Sequence, residues 1–514
     1  MAQPSIIFQE GQGGLGRPLP NNDHISGMLF YTNTLPSGSN PNGYSANSRV
    51  KTLYSADDAI PLGIFKDYSD ATAATGSVLV TAIGSDGDQA FITSSDRNPL
   101  NGNTRTVTLC KYIKVASDTT VANVATSIAA AINALTQTHG YSATVSTATV
   151  TIIAPKSQGS YLNIGTPINT YSLGSVAMTI TQFSGGVSSK LAIYNYHITE
   201  FFRMQPKGVL HVGFYAVPGS YTFTEVKTMK DATNAAMRQI AVWKDAVYAT
   251  ADITALQTIA NTCKSEYGPL VVLYAGNLQA TADITTLTDL NLLSNPLVSN
   301  IIAQDGGGLG NFLYQTNLKS ISSIGNALGV VAARKVSESI AWVEVGNLSN
   351  GSEMEVLAFS NGQLYTALSV SALDALHAKR HIFAKKFPNY SGSFYSDSQS
   401  AVLSTSDYAY IENNRTIQKA ERNLYSAFLP QLNSPIRFNA DGTITDIDIA
   451  RLENIGNVSL DQMIKDQEIS AKSVTIDPTQ DVLTTSTITI AVVLVINGVA
   501  RNIVIPISFK PSIA

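Results

Sequence analysis

A few short patterns in this 514-residue sequence contain residue types that could bind a ligand or a metal ion. The first is Gly-Gln-Gly-Gly-Leu-Gly at residues 11–16, which has the spacing of a dinucleotide-binding glycine loop. Such a loop must open a helix, whereas Pro18 and Pro20 follow closely and oppose helix continuation. The pattern therefore favours a flexible or extended arm over nucleotide binding.

Two histidines, His377 and His381, have the spacing of metal ligands on one face of a helix. The residues around them argue against a metal site. No Glu lies between the two histidines, and Lys379, Arg380 and Lys385 supply cations rather than ligands. The segment therefore predicts a basic face that is solvated or lies at an interface.

The carboxylates and nucleophiles form no catalytic pattern. Asp446 and Asp448 would share one face of a strand-like segment, but a calcium loop needs more ligands and a closing bidentate Glu. The sequence contains neither the Gly-x-Ser-x-Gly turn of a hydrolase nor the glycine-lysine loop that binds nucleotide phosphates. We therefore expect no catalytic residue, no cofactor and no bound metal.

The composition favours a protein that packs against other subunits. Hydrophobic residues make up 44% of the chain and charged residues 14%, whereas about 25% is usual for charged residues. So few charges repel one another weakly, which makes extensive subunit contacts easier to form. A net charge of −4 and a pI of about 5.9 argue against binding nucleic acid or an anionic membrane.

Other features indicate the compartment in which the chain is made. Cys110 and Cys263 are expected to be reduced, buried thiols, because one pair in a long chain is seldom a disulfide framework. The first residues lack the basic and apolar regions of a signal peptide. No run reaches the ~18 apolar residues of a membrane span. We therefore expect folding in a cytoplasm, without membrane anchoring.

The succession of patterns predicts an α/β and α+β multidomain fold. Residues 1–50 are rich in Gly, Pro, Asn and Ser and are interpreted as an extended N-terminal arm. Residues 51–69 and 191–405 alternate strands with helices, which implies an α/β core with a mixed sheet. A small, surface-exposed α+β domain at 70–190 is inserted into this core, and 406–514 form a C-terminal α+β assembly domain with a terminal arm.

Several elements of these domains can be placed from their periodicity. Strands are expected at 211–217 and at 269–276, the latter a continuous apolar run typical of a strand buried on both faces. Helices are expected at 120–135, 223–249, 252–267 and 321–334, and an amphipathic helix begins at residue 411.

Two apolar runs at 487–496 and 499–509 give the strongest structural signal. Asn497 and Gly498 between them can adopt the positive φ angles of a type I′ turn, which predicts a closing β-hairpin. Both faces would be apolar, and an isolated hairpin is marginal in water, so it needs a partner. The positions predicted to exchange strands between subunits are Ile488, Ile490, Val492, Leu494, Ile496, Ile503, Ile505, Ile507 and Phe509, with Ile6, Ile7 and Phe8 as a second donated strand.

The C-terminal third has a distinctive order of elements. A helix around 414–420 is followed by a glycine-marked turn at 441–443, a helical segment at 460–463, and an acidic, Pro-containing segment at 477–483 before the final strands. This order resembles the contractile phage tail sheath family, which includes the sheaths of phage-like contractile injection particles. The middle of the chain is similar to the sheath core, so the resemblance covers roughly residues 70–510.

The resemblance implies a mechanical function. Sheath subunits stack as six-membered rings around a tail tube, and their arms add strands to neighbouring subunits. Contraction then drives the tube through the target cell envelope, which in phages leads to genome ejection. The implied partners are further copies of the chain, the tail tube protein, and baseplate and tail terminator proteins, without nucleic acid. The implied location is a virion tail or phage-like particle assembled in the bacterial host cytoplasm.

Two other classes of protein stay open. A static virion or tail-tube protein would use the same assembly principle without contraction, although tube proteins are typically far shorter. A cytoplasmic α/β enzyme with an appended β domain would need a catalytic constellation that the sequence lacks.

Overall fold

Apolar strands alternating with amphipathic helices build the fold of the computed structural model, which describes residues 22–509. The first elements in chain order are β1 (Ile25–Tyr31), β2 (Val50–Leu53), β3 (Thr75–Ile83), β4 (Gln89–Arg97), β5 (Thr104–Ile113), α1 (Val121–Ala134), α2 (Thr136–His139), β6 (Ser142–Ser146), β7 (Thr149–Ile153), β8 (Ile168–Leu173) and β9 (Val176–Ser184).

Elements of the core and of the C-terminal domain follow. They are α3 (Leu191–Met204), β10 (Val209–Tyr215), α4 (Thr224–Ala232), β11 (Gln239–Val247), α5 (Thr250–Ser265), β12 (Val271–Asn277), β13 (Val298–Ile301), β14 (Ala303–Asp305), α6 (Leu309–Asn317), α7 (Ile324–Ala333), β15 (Leu357–Phe359), α8 (Val370–Ala378), β16 (His381–Ile382), β17 (Ala384–Phe387), β18 (Tyr390–Tyr395), α9 (Ile411–Phe428), α10 (Asp446–Lys465), β19 (Ile469–Thr475), α11 (Val482–Thr485) and β20 (Ala491–Ile496).

The main sheet has seven strands in the order β16-β13-β12-β11-β1-β10-β2. Neighbouring strands are parallel except for the edge strand β2, which is antiparallel to β10. Helices α3 and α7 pack on one face of the sheet, and α4 and α5 pack on the other. The predicted mixed α/β, multidomain fold class is confirmed.

Strand β1 lies at the centre of this sheet, between β10 and β11. Met28 and Phe30 are fully buried there. The extended arm predicted over residues 1–50 is therefore wrong for this strand. Ile25 pairs with Val209, far along the chain, so the local composition on which the prediction relied could not reveal the pairing.

A second correction concerns the helix predicted at 223–249. Helix α4 ends at Ala232, and strand β11 begins at Gln239. Asn234 and Ala235 between them have φ angles of +50° and +57°, which a continuing helix does not allow. Most of β11 is buried from both faces, so its apolar residues follow one another and also fit helical spacing.

The other element predictions agree with the structure. The helices expected at 120–135, 252–267 and 321–334 are confirmed as α1, α5 and α7. The strands expected at 211–217 and 269–276 are confirmed as β10 and β12. These segments have a single clear period or an unbroken apolar run bounded by turn residues.

The inserted segment at 70–190 encloses a hydrophobic cluster of its own. Two antiparallel sheets, β6-β7-β3-β9 and β5-β4-β8, surround the cluster. Cys110 is buried in this cluster and Cys263 in the core, and neither forms a disulfide. Helix α1 packs into the cluster through Val124, Ala125, Ile128, Ala129 and Ile132.

Hydrogen bonds at its two connections fix this segment to the core. Oδ2 of Asp70 accepts hydrogen bonds from the backbone N–H groups of Lys190 (2.9 Å) and Leu191 (3.1 Å), where α3 begins. Helix α6 provides a further contact, because Nδ2 of Asn311 donates to the carbonyl oxygen of Asn101 at 2.7 Å. Helix α6 therefore helps to fix the position of the inserted segment on the core.

Two carboxylates cap the N-terminus of α6. Oδ2 of the fully buried Asp305 accepts from the backbone N–H of Gly308 at 2.6 Å. Oε1 of Glu353 accepts from the backbone N–H of Leu309 at 2.7 Å. Burial and the nearby Asp305 charge raise the pKa of Glu353 to about 7. The Glu353 carboxyl at this helix terminus therefore changes its protonation state near neutral pH.

The raised pKa of Glu353 predicts a pH dependence of stability. The folded state binds this proton more tightly than the unfolded chain, so Glu353 lowers stability as pH rises from about 4.5 to about 7. Glu353→Gln can still accept the bond from the Leu309 N–H through its amide oxygen but cannot ionise, so we expect its stability to fall less over that range. Urea midpoints followed by fluorescence of the buried Trp243 measure the difference, and parallel pH profiles for the two proteins would contradict this role.

Candidate assembly surface

The predicted pair of histidines is not formed on one helix. Helix α8 ends at Ala378, so only His377 belongs to it, and His381 lies in β16. His381 is fully buried, with Nδ1 2.9 Å from Nδ2 of Asn300, and burial lowers its pKa to about 4. The solvated basic face predicted here is therefore wrong at His381. Over residues 22–509, no three His, Cys, Asp or Glu side chains are grouped so that they could hold a metal ion.

The carboxylates Asp446 and Asp448 lie in the first turn of α10 and not in a strand. Oγ1 of Thr445 caps this helix by accepting from the backbone N–H of Asp448 at 3.4 Å. Arg437 donates two side-chain bonds to Asp448, at 3.0 and 3.2 Å, and these bonds lower the pKa of Asp448. Asp448 therefore forms an ion pair with Arg437 at the N-terminus of α10, which Thr445 caps. None of the described helices is long and apolar enough to cross a membrane.

Helices α9 and α10 and the two-stranded ribbon β19–β20 form the C-terminal domain. They meet in an apolar cluster formed by Ala420, Leu460, Met463, Ile469 and Val474. The amphipathic helix predicted from residue 411 is confirmed as α9. This cluster fixes the ribbon against the two helices.

The two faces of β20 differ in exposure. Val492 and Leu494 are half-buried against the helices, whereas Val493 is 63% exposed and Val495 is 53% exposed. Within residues 22–509 the ribbon has two strands, so the outer edge of each strand lacks a further strand partner. An apolar face beside an open edge is a surface to which another strand can add.

The hairpin predicted at Asn497 and Gly498 is not formed. Strand β20 pairs with the preceding β19, and neither turn residue has a positive φ angle. Nδ2 of Asn497 donates to the carbonyl oxygen of Gln467 at 2.6 Å, and Oγ of Ser470 donates to Oδ1 of Asn497 at 2.8 Å. Asn497 therefore fastens the end of β20 to the start of β19, and the following chain leaves the ribbon.

The predicted strand-exchange positions fall into three groups. The first group packs partly buried against helices of its own chain, so these side chains are not free to contact another subunit. It consists of Ile488, Ile490, Val492 and Leu494. Ile496 is 38% exposed at the end of β20. The predicted donated strand Ile6, Ile7, Phe8 and the glycine pattern at 11–16 lie outside the described residues.

The remaining positions belong to what we call the C-terminal arm, residues 501–509, which is exposed throughout. The exposed fractions are 78% for Ile503, 72% for Ile505, 86% for Ile507 and 104% for Phe509. The arm pairs with no other described segment as a strand. In an extended chain these alternate side chains project to one side. A contiguous exposed apolar surface of this kind marks an interaction site.

Arg501 fixes the base of the arm. Its Nε lies 3.0 Å from Oδ1 of Asp397, and its Nη2 lies 2.5 Å from Oε1 of Glu412. The guanidinium carbon also lies 3.4 Å from the centroid of the Tyr410 ring. Burial raises the pKa of Glu412, and the Arg501 charge opposes this shift. The sequence interpretation missed Arg501, although it is the sole charged residue between 482 and 509.

A second set of ion pairs on α9 holds the first described residues. Nζ of Lys419 lies 2.7 Å from Oδ2 of Asp23, and Nη2 of Arg422 lies 2.9 Å from Oδ1. Burial raises the pKa of Asp23, but the charges of Lys419 and Arg422 outweigh it, and the net shift is downward. Helix α9 thus binds the chain just after residues 1–21 and again at Arg501.

The chain belongs to the DUF2586 family. The profile of the DUF2586 N-terminal domain matches residues 79–399, and that of the DUF2586 C-terminal domain matches residues 407–513. The division between the two profiles falls just before α9. No curated protein matches the chain significantly.

The chain is similar to several solved sheath and baseplate structures. A chain of the anti-feeding prophage (AFP) baseplate has 13% identity and a TM-score of 0.41, covering 64% of this chain and 84% of that chain. The AFP helical sheath in its contracted state has 13% identity and a TM-score of 0.43, covering 61% and 81%. The sheath tail protein of Desulfitobacterium hafniense has 9% identity and a TM-score of 0.37, covering 96% and 100%.

Arg501→Gln should release the base of the arm, because it removes both ion pairs and leaves the carboxylate of Glu412 buried without its cation. Hydrogen bonds to charged groups contribute about 1.5–3 kcal/mol, so the ratio of released to anchored arm base should rise at least about tenfold. A nitroxide on Ile503→Cys reports this mobility by electron paramagnetic resonance. Lys386→Gln, which breaks an exposed ion pair with Glu355, should leave the spectrum unchanged. An unaltered spectrum for Arg501→Gln would contradict the anchoring role.

Proposed function

We propose that this chain is the structural subunit of a contractile tail sheath. It polymerises as stacked six-fold rings around a tail tube and contracts to drive the tube through a target cell envelope. The observation that carries the proposal is the C-terminal arm. Its residues 501–509 are all exposed, residues 503–507 are a continuous apolar run, and its base is held by ion pairs.

An arm of this composition favours association. Fully burying one large apolar side chain contributes about 1.5–3 kcal/mol, so the four apolar side chains on one side of the arm, Ile503, Ile505, Ile507 and Phe509, together offer about 6–12 kcal/mol. Association costs roughly 4–15 kcal/mol in lost freedom of motion. The free energy gained by burying the arm is therefore similar to the cost of association. Main-chain hydrogen bonds and repeated contacts must add to it for stable assembly. A polymer provides both.

The surface that fits the arm is the β19–β20 ribbon of a second copy. The ribbon offers an open strand edge and the exposed side chains of Val493 and Val495. Nine extended residues span about 30 Å, enough to follow the whole of β20 at about 3.3 Å per residue. Pro506 lacks an N–H, so the arm would form an edge strand there. The donated strand thus extends the ribbon from two strands to three.

Strand donation also suits a sheath that contracts. Main-chain ladder bonds do not depend on particular side chains, so the link persists while the subunit bodies rotate and repack. Contraction is then a transition between two packings, with the energy stored at assembly and no nucleotide consumed. The further partners in this proposal are the tail tube, baseplate and tail terminator proteins. The place of action is a virion tail or phage-like particle, and the role is structural.

Asn substitution at Ile503, Ile505 and Ile507 together tests the proposal. We expect the triple variant to lose polymerisation, because it replaces three of the four apolar side chains on one side of the arm, and to stay folded, because these side chains belong to no core cluster. Electron microscopy should show hollow tubes wide enough to surround an inner tube for the parent chain only. Trp243 fluorescence checks the fold.

The matched control replaces exposed apolar residues elsewhere. Leu100, Val247 and Val370 are 79%, 70% and 74% exposed and lie outside the C-terminal domain. Asn at these three positions should leave tube formation intact. Tubes formed by the arm variant, or tubes lost equally in the control, would overturn the assignment of assembly to the arm.

A further inference from the structure

An apolar groove lies on the C-terminal domain where α9 meets the segment after α5. Its volume is about 400 Å³, within the size range of binding pockets. Beside it, Lys264 and Glu421 form an ion pair of 2.7 Å with each other. The apolar and aromatic side chains that line the groove are Tyr267, Pro269, Leu424, Tyr425 and Phe428.

Two stacked tyrosine rings form the aromatic part of the groove lining. The rings of Tyr267 and Tyr425 stack with centroids 4.4 Å apart and planes 23° apart. Tyr267 is 66% exposed and Tyr425 is 40% exposed. The backbone of Tyr267 has a φ of +62°, an uncommon conformation for a bulky residue. The fold thus holds an exposed aromatic pair in place at a cost in backbone strain.

The described chain begins next to this groove. Arg422 lines the groove and also donates from Nη2 to Oδ1 of Asp23 at 2.9 Å. Asp23 therefore lies within the length of one side chain from the groove wall. The residues that lead into Asp23 are Arg17, Pro18, Leu19, Pro20, Asn21 and Asn22.

We propose that this groove binds Pro18, Leu19 and Pro20 of the same chain. Proline-rich segments prefer the extended polyproline II conformation and dock into grooves lined by aromatic residues. At about 3.1 Å per residue, the five residues from Asp23 back to Pro18 span about 16 Å, enough to run along the groove. Proline rings on the tyrosine faces and Leu19 against Leu424 would cover the apolar lining.

Binding of this segment gives the groove a role in the unassembled subunit. The ion pairs of Asp23 fix one end of the segment, and the aromatic groove would fix the part before it. This inference concerns the free chain and does not depend on the sheath assignment.

Disulfide trapping in the full-length chain tests the proposal. Arg17→Cys is combined with Glu421→Cys, which gives up only the exposed ion pair with Lys264. A disulfide requires Cα atoms about 4.4–6.8 Å apart, so it forms only when the segment lies in the groove. The native thiols Cys110 and Cys263 are buried and should stay silent. We expect rapid formation of an intrachain disulfide, detected on non-reducing gels and by peptide mass.

The control pairs Arg17→Cys with Asp86→Cys, an acidic residue of another ion pair, in the inserted segment. This control pair should not cross-link. Adding Pro18→Gly and Pro20→Gly to the groove pair should reduce its disulfide yield at least about fivefold, the change that about 1 kcal/mol of lost binding produces. The linkage should be independent of protein concentration.

Three results would overturn the proposal. They are a disulfide yield of the groove pair no higher than that of the control pair, a yield that the glycine substitutions leave unchanged, and a disulfide that joins two chains. The last result would assign the groove to the segment of a second copy. Tube formation by the same variants is scored separately, so a failure here does not bear on the sheath proposal.

Discussion

Ion pairs on a single helix hold both the first described residues of this chain and the base of the C-terminal arm. Helix α9 holds Asp23 through Lys419 and Arg422, and it holds Arg501 through Glu412. The carboxylates of Asp23 and Glu412 are 9% and 2% exposed. Removing the partner of a buried charge typically costs about 3–5 kcal/mol. Ion pairs therefore fix the positions of Asp23 and Arg501.

The same helix is tied to the α/β core. Guanidinium nitrogens of Arg415 donate to the carbonyl oxygens of Arg334 and Lys335, each at 3.2 Å, directly after α7. Helix α7 in turn packs against the main sheet. A force on the C-terminal arm would thus reach the seven-stranded sheet through α9. In the proposed sheath, this connection would transmit force between a subunit body and its neighbours.

Local signals predicted much of the fold and less of the assembly surface. Helices α1 and α9 were recognisable because their apolar residues repeat with helical spacing. Strand β1 was assigned to an arm because its partners β10 and β11 lie far along the chain. The predicted hairpin is wrong for a related reason. Strand β20 pairs with the preceding β19 and not with residues 499–509.

Charged residues of the assembly surface could be found only with the three-dimensional structure. Arg501 stands alone among apolar residues, a signal that something must pair with it, but its partners Asp397 and Glu412 are about 90 to 100 residues away in sequence. The groove beside α9 depends likewise on Tyr267 and Tyr425, which only the fold brings together. Sequence periodicity reports which face of an element is buried, not which distant element covers it.

In the proposed sheath, the C-terminal arm extends the ribbon of a neighbouring copy. A helical reconstruction of the polymer formed by the purified full-length chain, at a resolution that separates strands, tests it directly. We expect residues 503–509 of one subunit to form a third strand beside the β19–β20 ribbon of another. Arg501 should still bind Glu412 in its own subunit. An arm that folds back onto its own domain, or that contacts no ribbon, would contradict it.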